Sequence, residues 1–277
     1  MTNNNMYFIA NWKMYGDFKS INSIKNVIKL SKKPKYRKAK IIYCPPYTLL
    51  DQFVKITSKT KIYIGAQNCH AHQDYGAFTG SINPKMIKNT GSKFVIVGHS
   101  ENRNSGDTNK AINMKIRSSL NENLKVIFCI GETLKEKRNK RTNQVLNRQI
   151  KKGLKKIKKL DNIIFAYEPV WSIGTGIIPK IDDLENQIKQ IKFFIKKTYK
   201  VKNPIVLYGG SVNTKNILSL REISSINGFL IGGTSQNSKK FIDNKSNVLL
   251  IDNIVGEDLF NLIKYFAYQE VKIHDRP

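Results

Sequence analysis

The sequence predicts a closed (β/α)8 barrel of the α/β class, a single domain with a C-terminal extension. Three observations carry this. Short runs of β-branched and aromatic residues recur, apolar on both faces, as strands of a parallel sheet covered by helices must be. Helix-length amphipathic stretches stand between them. Eight such units follow one another within about 250 residues, with no linker or low-complexity break. An open doubly wound sheet is the alternative, but it needs no eighth strand and usually opens on a Gly-rich first loop, which is missing here.

The first run is Tyr7-Phe8-Ile9-Ala10, and a helical pattern follows over Ile21 to Leu30. Ile41 to Cys44, Ile62 to Gly65 and Phe94 to Val97 form the next three runs. Val126 to Cys129 precedes a long helical pattern from Leu134 to Leu160, and Ile163 to Ala166 precedes another from Leu184 to Tyr199. Ile205 to Tyr208 and Gly228 to Ile231 complete the set. The barrel is assigned to residues 1–243 and the extension to 244–277. Leu259, Leu262, Ile263 and Phe266 give the extension a helical apolar face, with the barrel or a partner as the surface it would cover.

A chain of 277 residues with 40% hydrophobic content buries a sizeable core, which excludes disorder as the main reading. Lys+Arg 48 against Asp+Glu 20 leaves a net charge of +28. The basic residues are spread along the chain, with mild concentrations in Lys135 to Lys159 and Lys189 to Lys202. Within Lys151 to Leu160, Leu154, Ile157 and Leu160 recur every three residues and lysines fill most of the rest, which reads as a solvated helix face. Abundant Asn and Ile beside Lys point to a codon-composition bias. No aromatics interleave with the lysines as a stacking platform requires, so no dedicated nucleic-acid site is expected. No apolar run approaches the ~20 residues of a membrane span. The polar, Asn-rich start is unlike a signal peptide. Cys44, Cys69 and Cys129 are too scattered for a disulfide scaffold or a zinc site. The cytoplasm is the expected compartment.

Sites in such barrels lie at the C-terminal ends of the strands. That one rule selects Asn11 and Lys13 after the first strand, His99 and Glu101 after the fourth, and Glu168 after the sixth. It also selects Gly209-Gly210-Ser211 after the seventh and Gly232-Gly233 after the eighth. Glu168 sits among apolar neighbours, where partial desolvation makes a carboxylate a stronger base; an ion-paired rim residue is the plainer alternative. His99 precedes a short helix whose N-terminus disfavours imidazolium, leaving a neutral ring to donate to a carbonyl; a structural His is the alternative. Lys13 offers a point charge to an anionic substrate. Gly210-Ser211 and Gly232-Gly233 suit phosphate binding through backbone N–H groups, although glycines also simply make turns. Ser172-Ile173-Gly174-Thr175-Gly176, behind a stiff Pro-Val-Trp entry, suits a lid closing as a unit, or a plain turn. Together these residues suggest proton abstraction next to a carbonyl on a small phosphorylated substrate, with no need of a cofactor or metal.

Asn11-Trp12-Lys13-Met14, Gly98-His99-Ser100-Glu101, Ala166 to Trp171 with Ile173 to Gly176, Tyr208 to Val212 and Gly232-Gly233 are long, ordered and specific motifs. Cys129-Ile130-Gly131-Glu132-Thr133 and Gly76-Ala77-Phe78-Thr79-Gly80 join them. On these segments the chain resembles the triosephosphate isomerase family over residues 6 to 243. The resemblance implies the TIM-barrel fold and, without a cofactor, the glycolytic and gluconeogenic interconversion of dihydroxyacetone phosphate and D-glyceraldehyde 3-phosphate. That family is itself the usual illustration of a Glu base beside a neutral His under a closing loop, so these roles come with the resemblance. It implies Glu168 as the base between C1 and C2 and His99 as the electrophile. Asn11 and Lys13 would bind substrate, Lys13 would offset enediolate charge, and Glu101 would orient the surroundings of Lys13. Gly174, Ser211, Gly232 and Gly233 would hold the phosphate. An isomerase of a four-carbon ketose phosphate and a catalytically inactive, nucleic-acid-binding basic scaffold are the rival functions.

The resemblance also implies a homodimer, with the loop from Gln67 to Ser81 reaching into the partner and Thr79 near its site. Ser81 stands where the family usually has Glu and Asn102 where it usually has Arg, so an ion pair across subunits is missing at both ends. Asp107 replaces a usual Glu, Ser172 a usual Ala, and Ile177-Ile178-Pro179 a common Lys-Thr-Ala.

Overall fold

A computed structural model describes residues 6–236. Eight parallel strands close into a barrel in chain order: β1 (Met6–Asn11), β2 (Ala39–Cys44), β3 (Tyr63–Ala66), β4 (Phe94–Val97), β5 (Lys125–Ile130), β6 (Ile163–Tyr167), β7 (Val206–Tyr208) and β8 (Gly228–Ile231). Closure is made by β1 beside β8, with Tyr7 opposite Gly228 and Ala10 opposite Ile231. Every predicted apolar run is a strand, with ends moved by at most two residues. The α-helices among the described residues are α1 (Ile24–Ser31), α2 (Tyr47–Thr57), α3 (Pro84–Asn89), α4 (Ser100–Asn104), α5 (Asn109–Asn121), α6 (Leu134–Arg138), α7 (Thr142–Gly153), α8 (Ile181–Tyr199) and α9 (Ile217–Arg221). No helix among the described residues is long and apolar enough to cross a membrane.

Strand residues alternate between two cores, as a pleat of period two requires. Ile9, Ile42, Cys44, Phe94, Ile96, Ile127, Cys129, Ile164, Ala166, Leu207 and Leu230 pack inside the barrel. Their neighbours, among them Phe8, Val95, Phe128, Phe165 and Phe229, face outward and pack against helix residues such as Ile112, Ile150, Ile188 and Ile191. Both faces of each strand are thereby dry, which is why the runs are continuously apolar.

The single helical pattern from Leu134 to Leu160 is corrected. It is two helices, interrupted at Asn139 to Arg141, where Lys140 takes a left-handed φ of 54°, and α7 stops at Gly153. Beyond it Leu154 and Leu160 are buried and Ile157 packs against the same core, so the apolar face is present without the helix. The exact three-residue spacing is the reason: Ile157 N–H bonds Leu154 C=O at 3.0 Å and Ile163 N–H bonds Leu160 C=O at 2.9 Å, turns of period three rather than an α-helix. The apolar face expected at Leu259 to Phe266, and the boundary at 243, lie outside the described residues.

Gly153 lies where a Cβ would come within 2.4 Å of the Phe128 ring tip, and that ring is 0% exposed. Alanine gains about 1 kcal/mol of helix propensity but overpacks a ring with nowhere to move, at about 1–3 kcal/mol. Gly153→Ala is expected to lower the melting temperature by several degrees in calorimetry; an unchanged or raised value would contradict this packing.

Candidate active site

The alternation that builds the inner core also builds the site. One step beyond the last inward residue of seven of the eight strands comes the next residue of the same parity: Asn11 after Ile9, Gln67 after Gly65, Gly98 after Ile96 and Gly131 after Cys129. Glu168 follows Ala166, Gly209 follows Leu207, and Gly232 follows Leu230. This layer is largely glycine, and Glu168 occupies the room left. A Cβ on Gly131 would lie 1.8 Å from the Glu168 carbonyl oxygen, and one on Gly209 would lie 2.8 Å from Glu168 Cγ.

Glu168 is 2% exposed, with its Oε1 3.4 Å from Nε2 of His99. Burial pushes its carboxyl above the usual 4.5, and the charge is eased by His99, the Cys129 thiol, Lys13 and the backbone N–H of Ser100. His99 caps α4: its Nδ1 accepts the N–H of Glu101 at 3.2 Å, so in that bonding the ring proton sits on Nε2, facing Glu168. The turn into this helix needs Gly98 at φ 77°. Arg103 holds it from beneath, donating to the carbonyls of Gly98 at 2.7 Å and Cys129 at 3.0 Å and to Asn109 Oδ1 at 3.0 Å.

Lys13 adopts a left-handed φ of 54°. Its N–H donates to Asn11 Oδ1 at 3.1 Å and its C=O accepts from Gln67 at 2.7 Å, which fixes the backbone that carries the ammonium. Trp12 between them is 1% exposed and donates its indole N–H to Ser235 C=O at 2.9 Å. Lys13 Nζ meets Glu101 Oε1 at 2.6 Å.

Asn11, Lys13, His99, Glu168, Gly174, Ser211, Gly232 and Gly233 all line one cavity of about 380 Å³. Glu101 borders an adjoining cavity of about 300 Å³ with Asn11, Lys13, Met14, Tyr47, Gln67, Asn68, His99 and Asn102. The structure thus brings every residue selected by the strand-end rule to one end of the barrel. Among the described residues no group of three potential metal-ligating side chains converges.

Glu132, in the Cys129 to Thr133 motif, is a further functional residue that the sequence alone did not single out. Glu132 is 1% exposed, accepts the indole N–H of Trp171 at 2.9 Å and the Tyr167 hydroxyl at 3.2 Å, and so anchors the entry to the Ser172 to Gly176 loop. Burial raises its carboxyl above the usual range, and these two donors with its own backbone N–H pull it back. Lys137 lies over the Trp171 ring, 3.5 Å from its centroid, on the same side. The available signal was an acid two residues past the end of β5, placed as the other site residues are.

Residues 6–247 match the sequence profile of the family described as triosephosphate isomerase. The chain belongs to the triosephosphate isomerase family. The Dictyoglomus thermophilum triosephosphate isomerase is 41% identical over 239 residues, spanning 84% of this chain and 95% of its own. The Saccharomyces cerevisiae enzyme is 36% identical over 242 residues, spanning 86% of this chain and 96% of its own. The crystal structure of the Bartonella henselae triosephosphate isomerase superposes with a TM-score of 0.79 at 30% identity, covering 90% of this chain and 98% of that one. Membership makes the chain a cofactor-independent glycolytic isomerase that interconverts dihydroxyacetone phosphate and D-glyceraldehyde 3-phosphate. The four-carbon and scaffold readings are set aside by it.

A buried carboxyl raised in this way loses its charge earlier on acidification than an ordinary Glu. The acid limb of kcat/KM is therefore expected to have its midpoint above 4.5, with activity present above it and lost below. A pH–rate profile with the midpoint at or below that value would remove the argument.

Proposed function

We propose that Glu168 is the base of the isomerisation and that His99, Lys13 and Asn11 serve the same carbon pair. Glu168 removes a proton from C1 of dihydroxyacetone phosphate, the electrons move onto the carbonyl oxygen at C2, and an enediolate results. Returning that proton to C2 yields the aldehyde. The Nε2–H of His99 polarises the carbonyl and is the group placed to carry the hydroxyl proton between the two oxygens. The Lys13 ammonium offsets the developing charge, with Glu101 holding its position and Asn11 orienting the substrate. Backbone N–H groups of Ser211, Gly232, Gly233 and the lid residue Gly174 take the phosphate. Lid closure excludes water, which protects the enediolate from losing phosphate.

The supporting observation is the dry carboxylate 3.4 Å from His99 Nε2 in the cavity that the glycine loops line. Glu168→Gln keeps the shape and removes the base. Its turnover of D-glyceraldehyde 3-phosphate is expected to fall about 10²–10⁴-fold below that of the parent protein. A variant turning over within tenfold of the parent would take the role from Glu168.

We further infer a homodimer through the loop around Thr79 and a cytoplasmic setting. Met14, Tyr15 and Phe18 are 94%, 59% and 64% exposed, an unusual display of large apolar groups close to the 300 Å³ cavity. On the loop from Gln67 to Ser81, Phe78 is 44% exposed and braced by the His70 and His72 rings at 4.4 and 5.2 Å, a firm apolar projection suited to a partner's cavity. Ser81 and Asn102 bring no charge to such an interface, so apolar burial would hold it alone. Sedimentation at micromolar concentration is expected to give a dimer; a monomer would overturn the inference. We also read residues 1–243 as the isomerase domain and 244–277 as an extension to it.

A further inference from the structure

Ser172 stands at the base of the lid, closing a short 3-10 turn, Val170–Ser172. Its side chain is fully buried, while the lid tip from Gly174 to Ile177 is exposed. The hydroxyl has three partners. The Ile177 carbonyl lies at 2.6 Å, the Tyr208 hydroxyl at 3.0 Å and the backbone nitrogen of Ser211 at 3.3 Å.

Donor and acceptor roles follow by elimination. A carbonyl only accepts and an amide N–H only donates, so Ser172 gives its one hydrogen to Ile177 and receives one from Ser211. Its remaining lone pair takes the Tyr208 hydrogen. One hydroxyl group is thus saturated, and it joins both ends of the lid to the loop after β7. The contact needs Gly210 bare: a Cβ there would lie 2.3 Å from the Tyr208 hydroxyl and 2.8 Å from Ser172 Oγ. The lid is further tied within itself, since Thr175 Oγ1 donates to Ser172 C=O at 3.1 Å and accepts Ile177 N–H at 3.1 Å. The lid base and the loop after β7 are therefore one hydrogen-bonded unit with Ser172 at its centre.

The Ser211 amide is also one of the donors assigned above to the phosphate. An N–H aims its single hydrogen at one acceptor, so hydroxyl and phosphate oxygen compete for it. We propose that Ser172 is a positioning residue of the lid, whose buried hydroxyl competes with the substrate's phosphate for the N–H of Ser211 and thereby weakens the grip on the dianion. The inference deepens the phosphate-site reading and rests on it. Alanine, the usual residue here in the family the sequence resembles, has no such acceptor. A looser hold on the phosphate favours release of product, a step that limits turnover in many enzymes with closing loops.

The test uses the full chain, wild type and Ser172→Ala, with inorganic phosphate as a competitive inhibitor of D-glyceraldehyde 3-phosphate turnover. Removing one competing hydrogen bond is expected to lower the inhibition constant roughly three- to tenfold, with KM for the phosphorylated substrate falling in parallel. D-glyceraldehyde, which lacks the phosphate, is expected to react with the same kcat/KM in both proteins. A melting scan verifies that the variant is folded. Wild-type protein that phosphate does not inhibit would overturn the phosphate site and this inference with it. Inhibition of the wild type with an unchanged or weaker constant in Ser172→Ala would overturn the inference alone. So would an equal change for D-glyceraldehyde, since that is the signature of a general distortion.

Discussion

The molecule is organised around one carboxylate that has to be dry. Glu168 belongs by parity to the inside of the barrel, one step above Ala166, over an inner core of Ile, Leu, Cys, Ala and Phe side chains. Keeping a charge there requires space, donors and rigid support. Space comes from glycine at the flanking positions, since side chains at Gly131 or Gly209 would strike Glu168 itself. The donors are the Cys129 thiol and the Ser100 N–H, with His99 and Lys13 supplying favourable electrostatics. Support comes from the strand ladder: Glu168 N–H bonds Ile130 C=O at 2.8 Å, and Gly209 N–H bonds Tyr167 C=O at 2.8 Å. A carboxylate on a flexible loop would hydrate and lose the basicity that burial confers.

A second buried acid anchors the segment that follows Glu168. Glu132 sits behind the first, reached through Tyr167 and Trp171, the residues immediately before and three after Glu168. The pentapeptide Tyr167 to Trp171 is thereby held at both ends by one carboxylate, and it leads directly into the lid. Glu168 and the start of the Ser172 to Gly176 loop are consequently parts of one rigid segment. Pro169 and the short 3-10 turn leave few soft dihedrals between Glu168 and the loop that follows.

Much of this was legible in the sequence, and the reasons differ by element. Strands were legible because they are dry on both faces, which leaves continuous apolar runs that no exposed helix shares. Helix ends were less so. The stretch from Leu134 to Leu160 keeps its buried face through a break, since a turn of period three presents side chains to the core as well as a helix does. The strand-end rule located the site residues, and for Asn11, Glu168 and Gly232 the parity of the pleat explains why: the residue one step past an inward core position has only the mouth of the barrel to face, whereas His99 is placed by capping α4. Glu132 stands where the strand-end rule looks, but its role depends on Tyr167 and Trp171, which are distant in sequence, and pairing by tertiary contact leaves no local pattern. Ser172 was visible as an oddity, but its hydroxyl's meaning depends on Tyr208 and Ser211 in another loop. In each case the missed information is long-range hydrogen bonding, which residue type alone does not encode.

The raised carboxyl of Glu168 has a consequence for the fold as well as for the chemistry. A carboxyl that binds its proton more readily when folded makes the native state less favourable above its folded pKa, and that penalty lifts as pH falls through it. At neutral pH the base therefore works against folding, the reverse of a salt-bridged surface acid. The cost is local, while the opposing core extends over both faces of the sheet. Phe8, Phe128, Phe165 and Phe229, all at most 1% exposed, lie on the outer face and make no part of the site. Separating the two functions by strand parity lets the outer core stabilise the barrel while the top of the inner layer carries strain and charge. A fold whose only core lay inside the barrel would have to choose between filling that layer and using it.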